Sequence, residues 1–453
     1  MDSAFFSDLL ATIAERGRSV LKLTSWPWEA DDRAGSLIDM CAALLTGRGE
    51  ASGVALASEI LARYRSLPES DRQALFRGLA DDFGSDPDKM EDAIARWRAG
   101  GGEKAASQIH YASEPRRQEL FRRLNRAPGG TAALVAMRAD LLEAMREDRA
   151  LAVVDRDFQH LFGSWFNRGF LVLRRIDWSS PAAILEKIIR YEAVHEIRDW
   201  DDLRRRIDSA DRRCYAFFHP ALVDEPLIFV EVALTQTPPD AIAPLLAENR
   251  EQVAEAKARV ATFYSISNCQ EGLSSVTFGN FLIKQVVEEI RRDLPRIETF
   301  VTLSPVPGFR AWVETNEDPA VAALVAEARE RAQDERWAET TASAALMRKA
   351  LEPLAAHYFL KARRPDGRVI DPVARFHLGN GARLERIDWM ADMSVKGLFE
   401  SYGLMVNYLY DLNEIEKNHE AFANSSAVVA SSAVRKLLPS TRSRAAALPA
   451  PGA

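Results

Sequence analysis

The sequence predicts an α+β protein: an N-terminal all-helical bundle over residues 1–165, then a mixed-sheet domain over 166–438. Three observations carry this reading. The first 165 residues are rich in Ala, Leu, Arg and Glu, poor in β-branched residues, and show apolar stripes at helical spacing. After Trp165 the texture changes, and short runs of β-branched and aromatic residues appear. Thr262 to Leu303 then reads as strand, Gly-containing loop, helix and strand, a βαβ unit whose strands should be parallel.

In the first part, stripes over Ala4–Glu15, Ala34–Thr46, Ser52–Ser66, Ser70–Phe83, Lys89–Ala99, Arg116–Arg126, Thr131–Met145 and Asp155–Phe166 each predict a helix. Loops with Gly, Pro and Asp separate them, as expected for antiparallel pairs in a bundle. Pro68 breaks one helix, and Ser70 is placed to cap the next. The Arg-rich run Arg116, Arg117, Arg122 and Arg123 is read as a solvated face rather than a binding surface. No acid, base or nucleophile constellation stands out here, so the role of this part is structural.

In the second part, Phe170–Leu173 is a strand candidate, and Pro181–Ala193 a helix preceded by Ser179-Ser180 as cap. Trp200–Ile207 is helical. Cys214–Phe218 and Leu227–Leu234 are strands joined through Asp224-Glu225-Pro226, a hairpin signal. Pro244–Val260 reads as a helix, Thr262–Ser267 as a strand and Asn268–Thr277 as a polar loop. Phe278–Arg292 carries Phe278, Phe281, Leu282, Val286, Val287 and Ile290 at helical spacing. Glu298–Leu303 is the next strand, stopped by Ser304-Pro305-Val306-Pro307-Gly308. Ala320–Leu360 is two helices broken near Trp337-Ala338, and Asp366–Arg386 is irregular. Leu404–Tyr410 is a strand; Glu414–Ala421 and Ala430–Leu438 are helices. The Ser-, Arg-, Ala- and Pro-containing tail, 439–453, is expected to be disordered.

Bulk properties exclude several classes. A length of 453 residues allows two or three domains. A net charge of −7 argues against a general nucleic-acid binder. Cys41, Cys214 and Cys269 form no C-x-x-C pair, so no structural zinc is expected, and an odd, sparse set fits a reducing compartment. The N-terminus has no secretory pattern, no run is long and apolar enough to span a membrane, and the C-terminus is not Ser-Lys-Leu. Cytoplasm is the simplest location.

The loop before the Phe278 helix offers backbone N–H groups at the positive end of a helix dipole, which suits a phosphate. It has neither the G-x-G-x-x-G of dinucleotide folds nor a P-loop, and by itself an ordinary packed βαβ unit explains it as well. The segments FYSIS, GNFLIKQV, LSPVPGF, DPVARFHLGNGARLERIDWMADMS and NYLYDL, in this order, resemble the malonyl-CoA decarboxylase family over the latter part of the chain.

The resemblance implies a catalytic domain similar to the GNAT N-acetyltransferase fold, in which acyl-CoA threads between two splayed parallel strands. It implies a helical N-terminal domain used in homo-oligomers, dimer or tetramer. It implies decarboxylation of malonyl-CoA to acetyl-CoA and carbon dioxide, with no cofactor because the thioester is its own electron sink. Partners would then be malonyl-CoA and acetyl-CoA, with no nucleic acid and no membrane.

The candidate catalytic residues are Ser304, His377, Tyr410 and Asn380. Each also has a plainer reading: Ser304 as a strand-terminating polar residue, His377 as a core histidine, Asn380 as a loop anchor, Tyr410 as packing. The near-neutral pKa of imidazole makes His377 the proposed proton donor, with Ser304 orienting the malonyl carboxylate or thioester. The CoA loop is Ser274, Ser275, Val276, Thr277, Phe278, Gly279 and Asn280, with Gly279 allowing close approach. Thr277 stands where some relatives carry Glu. Lys284, Arg291 and Arg292 are either phosphate partners or a solvated helix face. His219 is an outside candidate among the other histidines. An acyltransferase moving an acyl group from CoA to an amine, or an idle CoA-binding regulator, are the competing functions.

Overall fold

The computed structural model describes residues 34–46, 49–276, 282–334 and 336–439. The Ala4–Glu15 helix, the start of the Phe278 helix and the tail beyond Pro439 lie outside the described residues. The chain forms two compact units: 1–174 with 217–228 and 268–279, and 175–216 with 229–267 and 280–453.

The first unit holds helices α1 (Ala34–Leu45), α2 (Glu50–Ser66), α3 (Glu69–Asp82), α4 (Pro87–Gly100), α5 (Glu103–Ser113), α6 (Arg116–Leu124), α7 (Gly130–Ala144) and α8 (Ala152–Trp165). Its core is aliphatic and aromatic, with Phe121 stacked on Phe158 at 4.1 Å. Three expectations are corrected. Helix α5 has a mostly exposed face with only Ala105 buried, so its apolar stripe was too weak to read. Ser70 does not cap α3, whose cap position is Pro68. Arg117 is not solvated: it is buried and paired with Asp157.

The second unit holds most of the sheet. Strands β1 (Val172–Ile176), β2 (Arg212–Phe218), β3 (Pro226–Thr235), β4 (Val260–Asn268), β5 (Thr299–Thr302), β6 (Ser304–Pro305), β7 (Arg383–Asp388) and β8 (Met405–Leu409) follow in chain order. The sheet order is β1-β2-β3-β4-β5-β8-β6, with β7 also on β8. β4 and β5 are parallel, from Val260↔Thr299 to Phe263↔Thr302. β5, β6 and β7 each run antiparallel to β8, so the sheet is mixed.

Helices of this unit include α9 (Ala182–Tyr191), α10 (Trp200–Ile207), α11 (Leu282–Asp293), α12 (Phe309–Thr315), α13 (Ala322–Ala332), α14 (Thr341–Leu360), α15 (Pro372–Gly379), α16 (Val395–Ser401), α17 (Ile415–Ser425) and α18 (Ser432–Lys436). On α11, Leu282, Ile283, Val286, Val287 and Ile290 are buried, the face its apolar spacing predicted.

Two readings fail here. Pro244–Val260 is no helix: one turn at Ala243–Leu246 and a 3₁₀ turn at Glu255–Lys257 are separated by non-helical chain. The buried carboxylate of Asp211 holds that chain, accepting from both Arg250 guanidinium nitrogens and from the Val253 N–H, a donor a helix would have used internally. Asp366–Arg386 is not irregular either, since it contains α15 and β7.

Candidate active site

The site begins where two parallel strands part. β4 and β5 stay paired up to Phe263↔Thr302, and the Leu303 N–H still reaches the Phe263 carbonyl at 2.9 Å. β4 then continues to Asn268 beside β3, whereas the chain after β5 stays on β8, pairing Ser304 with Val406 and Pro305 with Met405. Ser304 therefore sits just past the fork, held by a short antiparallel pairing and the two prolines that follow.

His377 comes from α15. Asp371 caps that helix, accepting from the Ala374 N–H at 2.7 Å, and Pro372 takes the first helical position, where a missing N–H costs nothing. The helix ends at Gly379, and Gly381 follows, required both by its φ of +83 and by the Ile415 carbonyl oxygen, which would lie 2.2 Å from a Cβ there. These constraints aim His377 at the fork. Its Nε2 is 3.1 Å from Ser304 Oγ, and its Nδ1 is 2.8 Å from the Tyr410 hydroxyl. Tyr410 is seated by its own N–H on the Phe300 carbonyl, 2.9 Å.

Two further residues belong to this constellation. Ser304 Oγ donates to Thr302 Oγ1 at 2.8 Å. The Tyr408 ring stacks on the imidazole, with centroids 4.6 Å apart. Strand alternation is the signal that could have found both: Thr302 lies two residues before Ser304, and Tyr408 two before Tyr410, each on the same face.

Asn380 is placed differently. Its side-chain amide donates to the Phe376 carbonyl at 2.8 Å, closing the end of α15. His219 packs on Phe166 within the first unit. Ser274 and Ser275 are exposed, Ser275 has φ 64, and Val276 is buried. Thr277, Phe278, Gly279 and Asn280 lie outside the described residues. Lys284 pairs with Glu416, and Arg292 with Glu289 and Asp293. A cavity of about 390 Å³ is lined by Arg291, Phe300, Tyr410 and Asp411 among others, but not by Ser304 or His377. Among the described residues no group of His, Cys, Asp and Glu could hold a metal ion, and no helix is long and apolar enough to cross a membrane.

Burial sets the electrostatics. It pushes His377 down from its ordinary value to about 3, so the resting imidazole is neutral, not the near-neutral titrating group the sequence led us to expect. Burial also raises the Tyr410 hydroxyl well above its usual range, keeping it protonated. Asp371 is pushed up to about 6 for the same reason.

The histidine shift has a stability consequence. A folded-state value below 6.5 means the unfolded chain takes up the proton first as pH falls. The contribution is whole above about pH 6.5 and is lost as pH drops toward 3. At pH 5 the loss from this one imidazole is about 2 kcal/mol. His377→Asn should therefore flatten the fall in unfolding free energy between pH 7.5 and 5 by that amount in urea titrations; an unchanged fall would contradict the assignment.

Comparisons with known proteins agree with this architecture. A family model described as the malonyl-CoA decarboxylase C-terminal domain matches residues 169–448, and one for the N-terminal domain of the same family matches 83–166. A crystal structure of malonyl-CoA decarboxylase from Rhodopseudomonas palustris is 55% identical with a TM-score of 0.87, covering 89% of this chain and 99% of that one. The corresponding structure from Agrobacterium vitis is 52% identical, TM-score 0.84, with the same coverage, 89% and 99%. The mitochondrial malonyl-CoA decarboxylase of Anser anser anser is 35% identical over 422 residues, 83% of this chain and 82% of its own length. With both domain models matched in order and relatives aligned over 82% or more of their own length, the chain belongs to the malonyl-CoA decarboxylase family of carboxy-lyases.

Proposed function

We propose that this protein decarboxylates malonyl-CoA to acetyl-CoA and carbon dioxide through a thioester enolate, without a cofactor, on a Ser304–His377 dyad. The observation that carries the reading is the buried hydrogen-bonded chain Tyr410–His377–Ser304 at the strand fork. Loss of carbon dioxide sends an electron pair from the breaking C–C bond into the thioester carbonyl. A hydroxyl or N–H aimed at that oxygen stabilises the developing charge, about 3 kcal/mol per donor in comparable holes. The surroundings that hold His377 neutral also disfavour a carboxylate taken out of water, and decarboxylation removes that charge. The enolate carbon then takes a proton. A neutral imidazole N–H is a weaker acid than imidazolium but a stronger one than a thioester α-carbon, so His377 Nε2–H suffices as donor. Tyr410 follows behind it at Nδ1.

Residues 274–280 are assigned to the CoA phosphates through backbone N–H groups and the Ser274, Ser275 and Thr277 hydroxyls. The sparse, odd set of three cysteines fits a reducing location, for which we keep the cytoplasm.

One experiment tests the reading. Purified protein, treated with chelator and dialysed, should release labelled carbon dioxide from carboxyl-labelled malonyl-CoA with no acceptor added. Release only when an amine is supplied with acyl transfer would make it an acyltransferase. Binding of CoA with no turnover would make it a regulator.

A further inference from the structure

We infer that Thr302 is a positioning residue that sets the tautomer of His377 through Ser304. Its catalytic consequence rests on the function proposed above; the tautomer itself does not.

Thr302 is fully buried. Its Oγ1 accepts from Ser304 Oγ at 2.8 Å and from the Tyr408 N–H at 3.1 Å. Its carbonyl accepts from the Asn407 side-chain amide at 2.7 Å. Two adjacent residues of β8 thus pin Thr302, one at the side chain and one at the backbone. A backbone N–H of a central strand is spent on a side-chain oxygen, which fixes where that oxygen lies.

A serine hydroxyl has one proton. With that proton committed to Thr302, Ser304 Oγ can only accept from His377, so Nε2 must carry the ring proton. A neutral imidazole has one N–H. Nδ1 is therefore bare and accepts from the Tyr410 hydroxyl. The chain of donors runs one way, Tyr410 to His377 to Ser304 to Thr302.

Without the Thr302 oxygen, the Ser304 proton loses its acceptor and turns to Nε2. The ring proton then moves to Nδ1, and Tyr410 becomes the acceptor. In that reversed state Nε2 carries no proton toward the fork, and the donor the proposed reaction needs is gone. The nearest alternative role for Thr302, simple packing, predicts no change in the ring proton.

Thr302→Val keeps the β-branched shape while removing the hydroxyl, and Thr302→Ser keeps the hydroxyl. In NMR of protein carrying nitrogen-15 histidine, with the resonance assigned by its loss in His377→Asn, wild type should show His377 protonated at Nε2 and bare at Nδ1. Thr302→Val should show the opposite tautomer, and Thr302→Ser the wild-type one. For malonyl-CoA turnover, Thr302→Val should lower kcat about tenfold, one hydrogen bond's worth of transition-state stabilisation, with KM changed less than about threefold. Thr302→Ser should restore kcat to within about twofold. A wild-type ring protonated at Nδ1 would overturn the inference even if Thr302→Val fails to fold. A Thr302→Val ring unchanged from wild type would overturn it as well. If wild type releases no carbon dioxide, the decarboxylase reading fails, and the nitrogen-15 pattern still decides the tautomer.

Discussion

Ser304→Ala is expected to lower kcat for malonyl-CoA by about a thousandfold, because Ser304 Oγ is the acceptor that holds the His377 Nε2–H at the fork. His377→Asn should fall in the same range, since a positioned proton donor contributes about a hundred- to ten-thousandfold. The two side chains share a 3.1 Å contact, and each orients the other. Their losses should not multiply. The double variant should be no more than about tenfold slower than the worse single one, as expected for groups that act as a unit. KM should move little, because neither group is assigned to the CoA moiety. Steady-state carbon dioxide release with a circular dichroism check of folding measures all of this. Turnover within about threefold of wild type in either single variant would end the dyad.

The parts of the molecule that were legible in the sequence are those where one physical signal dominates. α9 and α11 have apolar residues on one stripe, and the stripe is the buried face. β2 and β3 are runs of buried, mostly apolar residues, and they are neighbours in the sheet. Ser304 could be placed because two prolines and a strand end coincide there. The surroundings of His377 were less legible. Its Gly-containing context reads as a loop unless Asp371-Pro372 is recognised as a cap followed by a first helical residue. The neutral state of the imidazole was not legible at all. It depends on burial by α15, β5 and β8, which are distant in sequence and meet only in the fold. Thr302 falls between these cases: alternation puts it on the Ser304 face, but only the fold brings its oxygen within 2.8 Å of the Ser304 hydroxyl.

The largest structural loss is expected at a residue no motif marks. Arg138, on α7, has none of its surface exposed. Its Nε is 2.7 Å from Asp155, and its Nη1 donates to the carbonyls of Gly272 and Ser274 at 2.7 and 2.8 Å. The loop comes so close that a Cβ on Gly272 would lie 1.8 Å from the Val135 carbonyl oxygen. Gly272 is thus required by contact with α7, not by its own φ. Arg138→Met fills similar volume but leaves Asp155 charged and buried and two carbonyls without their donor, which costs about 3–5 kcal/mol. That is a large share of the roughly 5–15 kcal/mol that holds a folded chain together. Urea unfolding followed by tryptophan fluorescence should show the loss, and Asp155→Asn in the Arg138→Met background should recover part of it by removing the stranded charge. If the clamp also sets the shape of 274–276, a milder change, Arg138→Lys, should raise KM for malonyl-CoA several-fold and leave kcat within about twofold. Arg138→Met as stable as wild type would mean that water or a neighbouring side chain replaces every one of those contacts. Arg138→Lys with an unaltered KM would mean that the clamp holds the helical unit together and nothing more.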